Sequence, residues 1–159
     1  MYHWQIQMVK NTKNKKYFEF ILENLRRQDL EEVQAIWQEK WKEEALKSLE
    51  NSKTLVLFSK NVPIAMGGFV PIRDKDIKIA VVWLLCSYLV SNNKTLLYKT
   101  LKKEVLKAEK EYDLMFNYIF KSNFEAKNWL KKLGFKFDKP SPKGLVVREN
   151  FEFFYKLKE

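Results

Sequence analysis

The chain has one cysteine, Cys86, and one histidine, His3, among its 159 residues. A lone thiol excludes a disulfide framework and a cysteine-rich metal site, and no metal is expected. A Ser-His-Asp triad would have to rest on His3, at a chain end prone to fraying. Cys86 would need an activating base beside it to act as a nucleophile, and a thiol inside a strand reads as inert packing. Glycine is scarce at four residues, and neither a repeat nor an internal linker is visible. No apolar run reaches the roughly 18–20 residues that span a bilayer, and no signal peptide precedes the first predicted strand, so a soluble intracellular protein is expected.

What is present is an apolar share of 46%, an aromatic share of 15% and a formal charge of +10. That much apolar surface can build one core, and the length suits a single domain over residues 1–159. The charge comes from lysine, since Arg26, Arg27, Arg73 and Arg148 are the only arginines. Such a surface attracts phosphate-bearing ligands, nucleic acid or acidic protein faces, or serves only to solvate the chain. Direct nucleic-acid binding finds no aromatic-basic recognition motif to support it.

Along the chain, "YHWQIQMV" (residues 2–9) alternates as a half-buried strand does, and "KNTKNKK" follows as a polar turn, so residues 1–16 read as an added strand and basic turn. "YFEFILENL" (17–25) reads as a second strand. Asp29 stands where a helix N-cap belongs, with Leu30, Val33, Ile36 and Trp37 at helical spacing after it, and a second helix is predicted over 41–49. Strands are predicted at 54–58 and 62–71 around a turn at Lys60-Asn61, with Gly67-Gly68 marking a bulge or a close backbone approach. "KIAVVWLLCSYLV" (78–90) is apolar on both faces, as a covered central strand would be. Ser91 or Asn92 can cap a helix over 94–111 with Leu97, Leu101, Val105, Ala108 and Tyr112 in one stripe. A strand at 113–120, a helix over 123–133 stopped by Gly134, a turn at "SPKG" (141–144) and a last strand at "FEFFYKL" (151–157) complete the order.

That order, together with Asn123, Ala126, Trp129 and the Leu133-Gly134-Phe135 stop, resembles the Gcn5-related N-acetyltransferase (GNAT) superfamily. Trp83-Leu84-Leu85, Asn117-Tyr118, Asn123, Trp129-Leu130 and Pro142-x-Gly144-Leu145 further resemble a phage and prophage subgroup of internal-virion-protein-like acetyltransferases, over about residues 19–155. The resemblance implies an α+β, three-layer fold: a mixed, mostly antiparallel central sheet whose parallel strands at 78–90 and 113–120 splay apart, with about four helices. It also implies acetyl-CoA as cofactor, an amine acceptor (a protein lysine, an N-terminus or a small molecule), and residence in a bacterial host cytoplasm or a virion.

In such proteins the first splayed strand bonds the pantetheine arm and the amides opening the next helix hold the pyrophosphate. Here that loop is Leu89, Val90, Ser91, Asn92, Asn93, Lys94 and Thr95, with no glycine, and Lys94 and Lys99 also read as ordinary helix-surface lysines. Asn123 matches a cofactor contact or a plain helix cap. The position seven residues after it, where the superfamily often places a tyrosine acid, is Leu130, whose carbon side chain cannot donate a proton. Tyr118 and Tyr88 are the substitute acids, and Glu125 or Asp76 the candidate base, with water the alternative. Trp83 and Trp129 read as core. Two classes of function follow: an acyltransferase, or a binding protein on the same scaffold that is part of a virion or directed against a host defence factor.

Overall fold

The computed structural model describes residues 4–8, 15–74, 76–142 and 148–159. His3, most of the predicted basic turn and half of the turn at 141–144 lie outside them. Strand order in the sheet is β1 (Trp4–Met8), β2 (Lys53–Ser59), β3 (Val62–Ile72), β4 (Ile79–Cys86), β5 (Leu114–Phe120) and β6 (Phe151–Leu157). The helices are α1 (Lys15–Glu23), α2 (Arg27–Trp37), α3 (Trp41–Ser48), α4 (Lys94–Glu111) and α5 (Phe124–Lys132). Two compact units divide the chain, one running up to Val70 and including Trp83–Leu97, the other Pro71–Val82 with Tyr98–Glu159. Strand β4 and helix α4 each have residues in both.

In the first unit β1 and β2 pair antiparallel from Trp4↔Ser59 to Met8↔Leu55, and β2 pairs antiparallel with β3. The β2–β3 hairpin turns through Lys60 and Asn61, both left-handed at φ 50 and 66, the primed geometry that matches strand twist. The strand predicted over 17–25 is instead helix α1. Phe18, Ile21 and Leu22 are buried, a helical i, i+3, i+4 set that the aromatic and β-branched residues of the segment disguised. These three pack with Ala45, Leu49, Val56, Phe58 and Met66, and Trp37, Trp41 and Trp83 lie against the cluster. Burying each large side chain there contributes about 1.5–3 kcal/mol.

Of the two roles expected for Gly67-Gly68, the bulge is not theirs, since the register shifts at Leu57/Phe58. Gly67 and Gly68 are a close approach: an added Cβ would stand 2.8 Å from the Trp83 carbonyl oxygen and 2.3 Å from that of Lys53, respectively.

The second unit holds the one parallel pair. β4 and β5 align through Ile79↔Leu114, Ala80↔Met115 and Val81↔Phe116, while β5 and β6 run antiparallel over their whole length from Leu114↔Leu157 to Phe120↔Phe151. Leu97, Val105, Ala108 and Tyr112 of the α4 stripe are buried as their spacing requires. Helix α5 ends at Leu133, and Gly134 takes φ 93, a conformation costly for other residues. Phe135 then meets Phe154 edge-on at 5.4 Å. The elements are the expected mixed sheet with its parallel pair and the four expected helices, with α1 in addition.

Candidate functional site

In the first unit the chain leaves β4 at Cys86 and enters a 3-10 turn, Tyr88–Asn92, before α4 opens at Lys94. Ser87, fully buried, caps that turn by accepting from Leu89 N at 3.2 Å and donates its own N–H to the Ile64 carbonyl at 2.9 Å. The predicted caps Ser91 and Asn92 lie inside the turn; Asn93 occupies the cap position of α4, and its carbonyl accepts from Leu97 N at 2.9 Å. Asn93 sends its side-chain amide back to the Leu89 carbonyl at 3.2 Å. Lys94 and Thr95 form the opening turn of α4, and the start of a helix is a setting that favours an anion. Val90 is buried, and Ser91, Asn92, Lys94 and Thr95 are exposed.

The end of β4 is fastened from below. Asp29 is not an N-cap: it lies inside α2, 3% exposed, and the cap position is Arg26. Its carboxylate accepts from Arg26 Nε at 3.1 Å and Nη2 at 3.3 Å and from the backbone N–H of Cys86 at 2.9 Å. Arg26 N–H in turn donates to the Cys86 carbonyl at 2.9 Å, and Tyr88 N–H to that of Asn24 at 3.0 Å. Cys86, fully buried in this frame, fits the packing reading.

In the second unit the parallel ladder gives way just beyond Val81↔Phe116. There Asn117 Nδ2 takes the Val82 carbonyl at 2.6 Å and Asn117 Oδ1 accepts from Tyr118 N at 2.7 Å. Tyr118 is half-buried, its hydroxyl 2.6 Å from Ser141 Oγ. Asn123, 4% exposed, caps α5 through Ala126 N at 3.3 Å. Glu125, in the first turn of α5, has its Oε1 buried. Leu130 and Trp129 are half-buried on α5, whose Lys127 pairs with Glu152 of β6 at 2.6 Å. Tyr155 donates to Asp138 at 2.5 Å; this bond holds the Asp138 carboxyl below its ordinary 3.8 and the Tyr155 phenol above its ordinary 10.0.

The candidates therefore fall into two groups. Leu89 to Thr95 and Tyr88 belong to the first unit, Tyr88 in the turn with 58% of its surface exposed. Tyr118, Asn123 and Glu125 belong to the second. Asp76 is exposed in the approach to β4, its N–H bonded to Asp74 Oδ1 at 2.9 Å. Sequence reasoning missed the fastening role of Asp29 and the partner of Tyr118, Ser141. A carboxylate three residues from Arg26 was the one available signal for the first, and the second is a contact between residues 23 apart that no local pattern announces.

Among the described residues no group of His, Cys, Asp and Glu side chains could hold a metal, and no helix is long and apolar enough to cross a membrane. Neither a family model nor a curated protein sequence matches the chain. Solved structures do. A GNAT-family acetyltransferase from Streptococcus pneumoniae shares 16% identity over 99% of this chain and 100% of its own, with a TM-score of 0.68. A putative acetyltransferase from Salmonella typhimurium, solved with its cofactor acetyl-CoA, shares 17% over 98% and 94%, with a TM-score of 0.67. An N-acetyltransferase from Thermoplasma acidophilum in complex with coenzyme A shares 14% over 98% and 99%, with a TM-score of 0.63. The chain has the fold of the GNAT acetyltransferases.

Proposed function

We propose that the chain is a phage- or prophage-encoded acetyltransferase of the host cytoplasm that moves an acetyl group from acetyl-CoA to an amine. The observation that carries this reading is the parallel β4–β5 pair, which aligns at Ile79↔Leu114 to Val81↔Phe116 and then yields its Val82 carbonyl to the side chain of Asn117. It occurs in a fold shared with acetyltransferases, two of which were solved with acetyl-CoA or coenzyme A. Bound acetyl-CoA supplies an activated acetyl thioester. The turn Leu89–Asn93 and the α4 opening at Lys94 and Thr95 offer amides, hydroxyls and a positive charge to its pyrophosphate. Asn123 holds the cofactor end of α5. Tyr118 donates a proton to the departing sulfur, with Tyr88 the second candidate, and Glu125 takes the proton released by the amine.

A second reading, a binding protein without catalysis that targets a virion or host partner, draws on Leu130 and on the absence of glycine between Gly68 and Gly134. Titrating the protein with acetyl-CoA in a thermal-shift series separates the two. At about 100 times its Kd the cofactor stabilises by ~2.7 kcal/mol, which for a chain this long raises Tm by about 5–10 °C. No shift at millimolar acetyl-CoA overturns the acetyltransferase reading. A stoichiometric partner captured without cofactor then identifies the binding protein.

A further inference from the structure

Tyr118 lies mid-strand on β5 opposite Phe153, its register partner on β6, and the two rings stand 5.5 Å apart, tilted by 50°. That contact fixes the ring but leaves the hydroxyl to rotate. Ser141 Oγ, 2.6 Å away, is what meets it. Ser141 belongs to the segment that follows α5, and that segment is tied down before it reaches Tyr118. Lys136 and Tyr155 exchange backbone hydrogen bonds at 2.8 and 3.0 Å, Tyr155 donates to Asp138 at 2.5 Å, and the Lys139 ammonium sits 5.4 Å from the centre of the Tyr155 ring. A serine so anchored is a fixed partner rather than a passing loop contact.

We infer that Ser141 is a positioning residue for Tyr118, donating its O–H to the phenol oxygen so that the Tyr118 proton is free to point away from the loop; the inference rests on the acetyl-transfer reading. A phenol oxygen that accepts from one neighbour still has its own hydrogen to give, whereas one that donates to that neighbour does not. In the transfer step the C–N bond forms as the C–S bond breaks, the Tyr118 O–H breaks and an S–H forms. The proton lost by the amine goes to Glu125 and from there to solvent, and the Tyr118 oxygen, left as a phenolate, is later reprotonated by solvent. The Ser141 hydrogen bond to a phenolate is charge-assisted, and so stronger than its bond to the neutral phenol. An interaction that strengthens as the proton leaves accelerates the step rather than merely holding the ground state.

Steady-state kinetics on wild type, Ser141→Ala, Ser141→Thr, Tyr118→Phe and the Ser141→Ala/Tyr118→Phe pair test the inference, alongside acetyl-CoA thermal shifts on each. Ser141→Ala should lower kcat by about tenfold to a hundredfold, a share of the ~10²–10⁴ that a positioned acid contributes. KM for acetyl-CoA and the thermal shift should stay unchanged. Ser141→Thr, which keeps the hydroxyl, should recover most of kcat, and the double variant should be no slower than Tyr118→Phe, because residues that act as one unit are not additive. An unchanged kcat in Ser141→Ala, or a further fall in the double variant, overturns the positioning role while acetyl transfer stands. A wild type that binds acetyl-CoA but turns over no amine overturns both.

Discussion

Replacing Asp29 tests whether the end of β4 is held in the way its contacts imply. The carboxylate is 4% exposed and the partner guanidinium 10% exposed, and the carboxylate also accepts the N–H of Cys86, itself fully buried. Asp29→Ala removes the anion and leaves Arg26 buried beside a void. Breaking one partner of a buried pair costs about 3–5 kcal/mol, because the remaining charge has lost its water and its counterion. Against a typical total of about 5–15 kcal/mol this is a large fraction, and at about 2–4 °C per kcal/mol for a chain of this size Tm should fall by roughly 6–20 °C. Asp29→Asn keeps an acceptor for Cys86 N–H but not the charge, and should fall between. The mechanism predicts more than a loss: with Arg26→Met already in place no cation remains to be stranded, and Asp29→Ala should then cost much less. Urea unfolding of the four proteins closes this cycle. A loss below about 1 kcal/mol for Asp29→Ala, as expected of a surface pair, or an undiminished loss in the Arg26→Met background, refutes the reasoning. Because Cys86 leads directly into Ser87 and the Tyr88–Asn92 turn, the same variant should also bind acetyl-CoA more weakly.

Two further outcomes follow from the geometry. Gly68→Ala drives a Cβ to 2.3 Å from the Lys53 carbonyl oxygen, a backbone atom that cannot swing aside, so urea unfolding should show a loss of about 1–3 kcal/mol, the usual range for overpacking; a neutral result would mean that β2 and β3 separate freely. The Tyr155–Asp138 bond contributes within a pH window set by both partners. Its carboxylate side, with a folded pKa depressed below 3.8, contributes above the unfolded pKa and is lost as pH falls through the folded one. Its phenol side, with a folded pKa raised above 10.0, contributes below the unfolded pKa and is lost as pH rises through the folded one. Tyr155→Phe should therefore let the Asp138 carboxyl titrate higher, which carbon-detected NMR reads directly, and an unmoved titration would show that the bond does not hold the carboxylate.

Much of the fold was legible because single elements carry complete patterns. Helix α4 runs over the predicted 94–111, since its apolar stripe repeats for five turns without interruption. Strand β6 matches its predicted limits, bounded by polar residues on both sides. Helix α1 was misread because Tyr17, Phe18, Phe20 and Ile21 suit a strand by type, and only the burial of Phe18 with Ile21 and Leu22 distinguishes the helix. Asp29 looked like a cap because carboxylates favour that position; tertiary pairing with Arg26 and Cys86 outweighed the local preference. Of the candidate residues, Asn123 was legible as a helix cap because it follows β5 and opens α5, whereas contacts between residues distant in sequence, such as Tyr118 with Ser141, left no local mark.

The same contrast bears on Leu130, the residue that argues most directly against catalysis. Helix α5 is held by its Asn123 cap, the Lys127–Glu152 ion pair and the Gly134 stop, each of which places the helix whether or not residue 130 can donate a proton. A helix kept in place by contacts away from that position can exchange a phenol for leucine there without moving. If the chain transfers acetyl groups as proposed, the proton comes from another element. Tyr118 on β5 is the phenol with a second hydroxyl fixed against it, and Tyr88, 58% exposed on its turn, lies where water can do the same work. A leucine at position 130 and a phenol buttressed by Ser141 on β5 are thus two sides of a single hypothesis, and the Ser141 variants address both, because a serine that tunes only structure would leave kcat and KM to change together or not at all.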